Sequence, residues 1–404
     1  MSEASRRTAG WLVPNVLFLG LVSLLTDSAT EMAMPLLPLY LTSVLGAGAL
    51  ALGWIEGLAD FTANVLKLFS GQWADRLGRN RPLVLAGYTC SSVARPFLAL
   101  TTAVWQVVAV RVADRVGKGL RSSPRDSLIA ASVPERHWGA AFGLHRAMDH
   151  AGAVVGPLLA TGFLLYVSRD LRLLFWLTAI PGALAVAMIL LGVREGPPAL
   201  AGGADGPPDA GPASFRGEVR FLVPLGLFTL GNASDLFLLL KAGAVRAPVE
   251  TLPLLWMGLH VVKALVSLPA GRLADRWGRR RVIALGWLMY AAIYTGFAFA
   301  ETRTAVWTLF VVYGAHHGLT EGPEKALVAE LAPPRRRGTA FGWYHFTLGL
   351  LTLAANLLFG ALWEGVSSRA AFLAGAALAL LAIPALAVLA PRGPPRDEGG
   401  PADA

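Results

Sequence analysis

Apolar runs of about twenty residues recur from Trp11 to Ala390, each closed by a short polar or Gly/Pro-rich break, and a helix of about that length spans the hydrocarbon core of a bilayer. The runs predict twelve helices, over 12–44, 48–71, 82–102, 105–131, 138–166, 171–193, 218–241, 252–271, 281–300, 304–331, 338–363 and 370–391. The longest break, REGPPALAGGADGPPDAGPASFRGE, has little hydrophobic periodicity and reads as a flexible linker over 194–217. The pattern predicts an all-α integral membrane protein with one six-helix bundle in 1–193, a second in 218–391 and a disordered tail over 392–404.

Composition agrees, with 55% hydrophobic and only 15% charged residues in 404, more apolar than soluble domains usually are. A net charge of +9 would suit a nucleic-acid partner, but the arginines follow the loops. Arg6, Arg7, Arg76, Arg79, Arg81, Arg276, Arg279 to Arg281 and Arg335 to Arg337 fall on the side of the N-terminus, while the opposite loops hold Arg169, Arg172, Arg246 and Arg303. The positive-inside rule then puts both termini in the cytoplasm and leaves no need for nucleic acid. The opening SRRTAGW precedes an apolar run too long for an export signal and without a small-residue cleavage site, so an uncleaved first span is expected. Cys90 is the single cysteine, which excludes an intramolecular disulfide and a cysteine-cluster metal site.

The halves repeat. GQWADRLGRNR at 71 matches GRLADRWGRRR at 271, and PRDSLIAASVPERHWGAAFG at 124 matches PEKALVAELAPPRRRGTAFG at 323, an offset of 200 and then 199. Six helices per copy give both copies the same orientation, related by an axis along the membrane normal, with a cavity expected between them. The doubled GxxxDRxGRxR segment, after spans two and eight, resembles the loop motif of the major facilitator superfamily, with Trp73 and Asn80 where Leu and Lys are usual. The resemblance runs from 12 to 391, and TDSATEM, DRVGKG and HRAMD with GAVVGP resemble a prokaryotic subgroup of mostly uncharacterised members. It implies two six-helix halves rocking about a midplane site in a prokaryotic cytoplasmic membrane. It also implies that Asp75 contacts the start of span eleven near Gly338 and stabilises the outward-facing state. In the motif itself, the two glycines flanking Asp75 and Arg76 permit a tight turn, and the arginines hold it on an anionic leaflet.

An ionised residue at mid-span costs roughly 2.5–3.5 kcal/mol on insertion scales, so each must face protein or water. Asp27 and Glu31, four apart on span one, share a face and are the best proton site, because burial brings a carboxyl towards physiological pH. Span two carries Glu56, Asp60 and Lys67 on one face, span seven Asn232 and Asp235, and span eight His260 and Lys263. On span five His145, Asp149, Gly152 and Gly156 share a face, and GAVVGP, with Pro157, resembles the antiporter motif of exporting members. Span ten lines up His317, Thr320, Glu321 and Glu324. Its adjacent histidines point about 100° apart, so no resident metal is expected.

DRVGKGLRSSPRD on span four is not a phosphate loop, since Val112 stands where a glycine is needed. Helical geometry gathers Asp114, Arg115, Lys118, Arg121 and Arg125 within about 120° as one cavity wall. The half from Asp114 to Lys118 is expected to bind or couple, and the half from Arg121 to Asp126 to gate. Arg125 and Asp126 align with Glu324 and Lys325, so the charges swap between copies, and Arg125 and Glu324 are expected in a closing gate, directly or through an intervening helix.

These readings converge on a secondary transporter exporting a small molecule against protons, with no cofactor beyond the proton gradient, active as a monomer in the bilayer. Asp27, Glu31, Asp149 and Glu321 are the coupling candidates. Glu56, Asp114, Arg115, Lys118, His145, Asn232, Asp235, Lys263 and His317 are the cavity candidates. Gly71, Asp75, Arg76, Gly78, Arg79, Arg121, Arg125, Gly271, Asp275, Arg276, Gly278 and Glu324 are the gate and loop-motif candidates, and Gly152, Gly156 and Pro157 form the antiporter-like segment. The alternative is uptake or exchange of an anionic metabolite clamped by Arg115, Lys118 and Arg121. No nucleophile, metal or acid/base constellation has the spacing of an enzyme.

Overall fold

A computed structural model of the chain describes residues 12–195 and 215–390, apart from 38–39, 42–43, 47–48, 236, 239–240 and 243–251. Most of the expected linker and all of the tail therefore lie outside the described residues. The helices are α1 (Pro14–Ala33), α2 (Ala49–Leu77), α3 (Arg81–Ala94), α4 (Val104–Ser132), α5 (Trp138–Tyr166), α6 (Leu171–Leu177, then Ala179–Gly192), α7 (Phe215–Gly231), α8 (Leu252–Trp277), α9 (Arg279–Phe299), α10 (Arg303–Leu331), α11 (Arg337–Gly365) and α12 (Ser368–Leu389). Seven helical stretches among the described residues are long and apolar enough to cross a membrane. α2, α4, α8 and α10 are not among them, because they carry the mid-span charges. Their mid-span charges must face protein or water, as the cost of charge in hydrocarbon requires.

The two halves pack alike. α1 lies on α5 and α2 on α4, and the copies α8 and α10 pair in the same way. Between halves, α2 meets α11 and α5 meets α8, which are the same contact repeated across the pseudo-twofold axis. Four glycines make these crossings close. A Cβ on Gly71 or Gly338 would strike the other's backbone carbonyl, and Gly139 and Gly271 stand in the same relation.

Two expectations change. The loop motif is helical through Asp75 and Asp275, since α2 and α8 continue to Leu77 and Trp277. The turn falls instead at Gly78 and Gly278, with φ of 62° and 97°, a region that glycine enters without steric cost. Span seven is not one helix: α7 ends at Gly231, and Asn232 to Ser234 are non-helical, with the Ser234 N–H donating to Asn356 Oδ1 at 2.7 Å. Such a break is tolerated at membrane depth only where neighbouring groups satisfy the freed backbone.

Candidate functional site

The polar residues of the spans form three groups. In the N-terminal half, Asp114 on α4 receives Arg95 Nε at 2.9 Å from the segment following α3, Arg111 Nη1 at 3.3 Å and Arg115 Nη1 at 3.8 Å. Arg115 also reaches Asp60 of α2 at 3.3 Å. Arg121 turns to α3, donating to Ser91 Oγ at 2.6 Å and lying over the Tyr88 ring. The single wall expected on α4 is thus divided: Asp114 and Arg121 hold α3, Arg115 holds α2, and Lys118 is exposed. Arg121, expected at the gate, is absorbed within its own half because α3 lies on that side of α4. The Glu56 side chain lies outside the described residues.

The second group joins the halves at mid-depth. The Asp27 and Asp149 carboxyl groups, on α1 and α5, are in hydrogen-bonding contact. Asp149 also accepts from Ser23 Oγ and from Arg146 Nη1, the latter at 2.7 Å. Gly152 and Gly156 make this possible, because α5 lies so close that a Cβ on Gly156 would be 2.6 Å from the Ser28 carbonyl oxygen and 2.8 Å from Glu31 Cβ. From Asp149 the chain crosses to the second half. Arg146 Nε reaches Glu321 on α10 at 3.2 Å, Glu321 meets His150 at 3.3 Å and His317 at 3.2 Å, and Asp235 meets His317 at 3.7 Å and Lys263 at 3.1 Å. Asn232 accepts from Tyr313 at 3.3 Å. Two residues depart from expectation. His145 is fully buried with neither ring nitrogen hydrogen-bonded, so it does not line a cavity. Thr320 is buried on the Gly286 side of α10 and bonds its own helix, away from Glu321.

The third group closes the end that carries the loop motif. Asp75 accepts from the Gly338 and Thr339 N–H groups at 3.0 and 2.6 Å and from Thr339 Oγ1 at 2.6 Å, and so caps α11. Asp275 caps α5 through the Gly139 and Ala140 N–H groups at 2.9 and 2.7 Å. Each carboxylate sits at the positive end of a helix belonging to the opposite half. Arg76, Arg79 and Arg276 are exposed beside them. On the axis, Asp126 accepts from Lys325 at 2.6 Å, His345 at 2.9 Å and Arg125 at 3.1 Å. The crossing pair therefore sits one residue beyond Arg125 and Glu324. Those two turn back into their halves, Arg125 to Tyr88 at 3.5 Å and Glu324 to Trp287 at 3.3 Å and Tyr344 at 3.0 Å. Position 126 lies nearest the pseudo-axis and meets its own copy, whereas position 125, about 100° round the helix, cannot.

A model described as Major Facilitator Superfamily matches residues 19–259 and 219–403. The chain belongs to the major facilitator superfamily. It is a membrane-embedded member of a family of transporters. It is 32% identical over 384 residues to an uncharacterised MFS-type transporter of Methanocaldococcus jannaschii, covering 92% of this chain and 93% of that one. It is 24% identical to the multidrug resistance protein MdtH of Photorhabdus laumondii, over 78% of each chain. Among solved structures, the human organic anion transporter MFSD10 superposes with a TM-score of 0.75 at 16% identity, over 92% of this chain and 99% of that one. The proton:xylose symporter XylE superposes with a TM-score of 0.74 at 18% identity, over 95% and 96%. At such identity the two structures speak for the fold alone.

Sequence reasoning passed over Arg146, His150, His345 and Arg95. Arg146 stands beside His145 and one turn from Asp149, so the helical face was identified one residue away. Lys325 and Asp126 were marked by the charge swap, but only the packing shows which of the two swapped positions meets its copy.

Proposed function

We propose that the protein exports a small molecule by proton-coupled alternating access, with the Asp27–Asp149 pair as the proton-carrying group. That pair carries the reading: two carboxyl groups in hydrogen-bonding contact need a proton on one of them, and its loss sets two negative charges face to face between α1 and α5. Arg146 links Asp149 to Glu321, so a change of charge on α1 is felt in the other half. Glu31, one turn further along α1, is the second titrating group. Export is supported by the MdtH relative's name and by the close α1–α5 approach built from GAVVGP. The three contacts at the motif end fit a state closed to the cytoplasm, with both termini on that side of a prokaryotic inner membrane. The halves then divide at 194–217, act as a monomer and need no cofactor. In proteoliposomes an imposed pH gradient should drive flux, and Asp27→Asn with Glu31→Gln should abolish the response. Flux that ignores the gradient and survives both substitutions would overturn the proposal.

A further inference from the structure

Lys67 on α2, half-buried, and Lys118 on α4, exposed, have no carboxylate within ion-pair distance among the described residues, a lack they share with buried Arg121, which Ser91 and the Tyr88 ring hold instead. Among the described residues Lys67 donates only to the Asn64 amide oxygen, at 3.1 Å, and Lys118 has no side-chain partner. Arg95, Arg111, Arg115, Arg125, Arg146, Lys263 and Lys325 all have one.

The packing of α2 on α4 brings the two lysines within electrostatic reach of each other. Gly119 lets α4 settle on Ala63 and Leu66 of α2. Ser123 Oγ donates to the Lys67 carbonyl at 2.7 Å, and Ser70 Oγ donates to the Gly119 carbonyl at 2.8 Å. A Cβ on Gly342 of α11 would be 3.0 Å from the Lys67 carbonyl oxygen, so Lys67 stands where α2 meets the second half, and Lys325 of that half is its electrostatic neighbour. Three carboxylates are electrostatic neighbours of Lys118, namely Asp27, Asp60 and Glu31; the first is engaged with Asp149 and the second with Arg115, and Glu31 also has Arg115, Arg111 and Arg95 around it. The second half has neutralised this place: the copies of Lys67 and Lys118 are Ser267 and His317, and His317 lies between Asp235 and Glu321. Two cations at membrane depth without a carboxylate in ion-pair contact are costly to keep, and an arriving anion lowers that cost.

We propose that Lys67 and Lys118 form an anion-binding subsite in the transport cavity, taking a carboxylate or phosphate borne by the cargo. This rests on the transporter reading and redraws the clamp suggested by sequence, with Lys67 in the place of Arg121.

The test is equilibrium binding to the purified full-length protein of benzoate, phenyl phosphate and the cation tetraphenylphosphonium. Both anions should bind, more weakly as salt rises, and Lys67→Gln and Lys118→Gln should each weaken them at least tenfold while Lys118→Arg retains binding. Failure of both anions to bind, or undiminished binding by the double glutamine variant, overturns the subsite. Should a glutamine variant not fold, amine acylation of the wild type reads the same contact: phenyl phosphate must protect both lysines, and no protection overturns the proposal. Lysine-dependent binding without flux in liposomes would remove the transport reading and leave the subsite. Proton-driven flux with no anion binding would do the reverse.

Discussion

The third and fourth helices of one half and the ninth and tenth of the other are copies that solve one packing problem in opposite ways. In the first copy the interface is ionic, with Arg95 and Arg111 on Asp114. With the offset of 199, these positions become Tyr294, Phe310 and Tyr313. There the rings of Tyr294 and Tyr313 are 6.0 Å apart, Tyr290 stacks on Tyr294 at 4.0 Å, and Phe228 of α7 stacks on Trp287 at 4.8 Å. An aromatic interface gains from burial and ring geometry at no desolvation cost to charge. The ionic one needs every partner present, because a charge left alone in the interior costs several kcal/mol. The difference is that the second half is built as a plain core at this depth while the first concentrates charge beside the inter-half space, where Lys118 stands.

The largest expected effect follows directly. Asp114→Asn strips three arginines of their shared anion and should cost about 3–5 kcal/mol, seen as a large fall in unfolding temperature in detergent. Transplanting the other copy, Arg95→Tyr with Arg111→Phe and Asp114→Tyr, should recover most of that loss, since ion clusters replaced by packed apolar groups are often neutral or better. If the triple variant is no more stable than Asp114→Asn, the two interfaces are not interchangeable solutions. In the second half, Tyr313→Phe removes one hydroxyl from Asn232 and should cost only about 1 kcal/mol.

The two caps at the motif end sharpen the comparison at smaller scale. Asp75→Asn and Asp275→Asn should each weaken closure by about 1–2 kcal/mol, measured as a shift of spin-label distances towards the motif-open state. Asp75→Asn should shift them more, because Thr339 supplies a hydroxyl donor where the other copy has Ala140. Thr339→Ala should bring the two caps closer to parity at a cost of about 0.5–1.5 kcal/mol, the worth of one hydrogen bond. Equal responses of the two aspartates in the parent protein would show that the hydroxyl contributes nothing.

The number of spans, the repeat, the membrane environment and the identity of the mid-span charges are legible along the chain because each depends on local composition or on self-similarity. Hydrophobic length alone marks α1, α3, α5 and α12, and the repeated motif marks Asp75 and Asp275 as equivalent. Which charge meets which was decided by the tertiary structure. The face of α4 that looks like one wall in a helical projection is shared among α2, α3 and the pseudo-axis, so Arg121 is taken up by Tyr88 and Ser91 while Lys118 is left exposed. Helical periodicity fixes direction from an axis to within some tens of degrees. An ion pair needs distances of a few ångströms, and those are set by where glycines such as Gly71, Gly139 and Gly156 let neighbouring backbones touch.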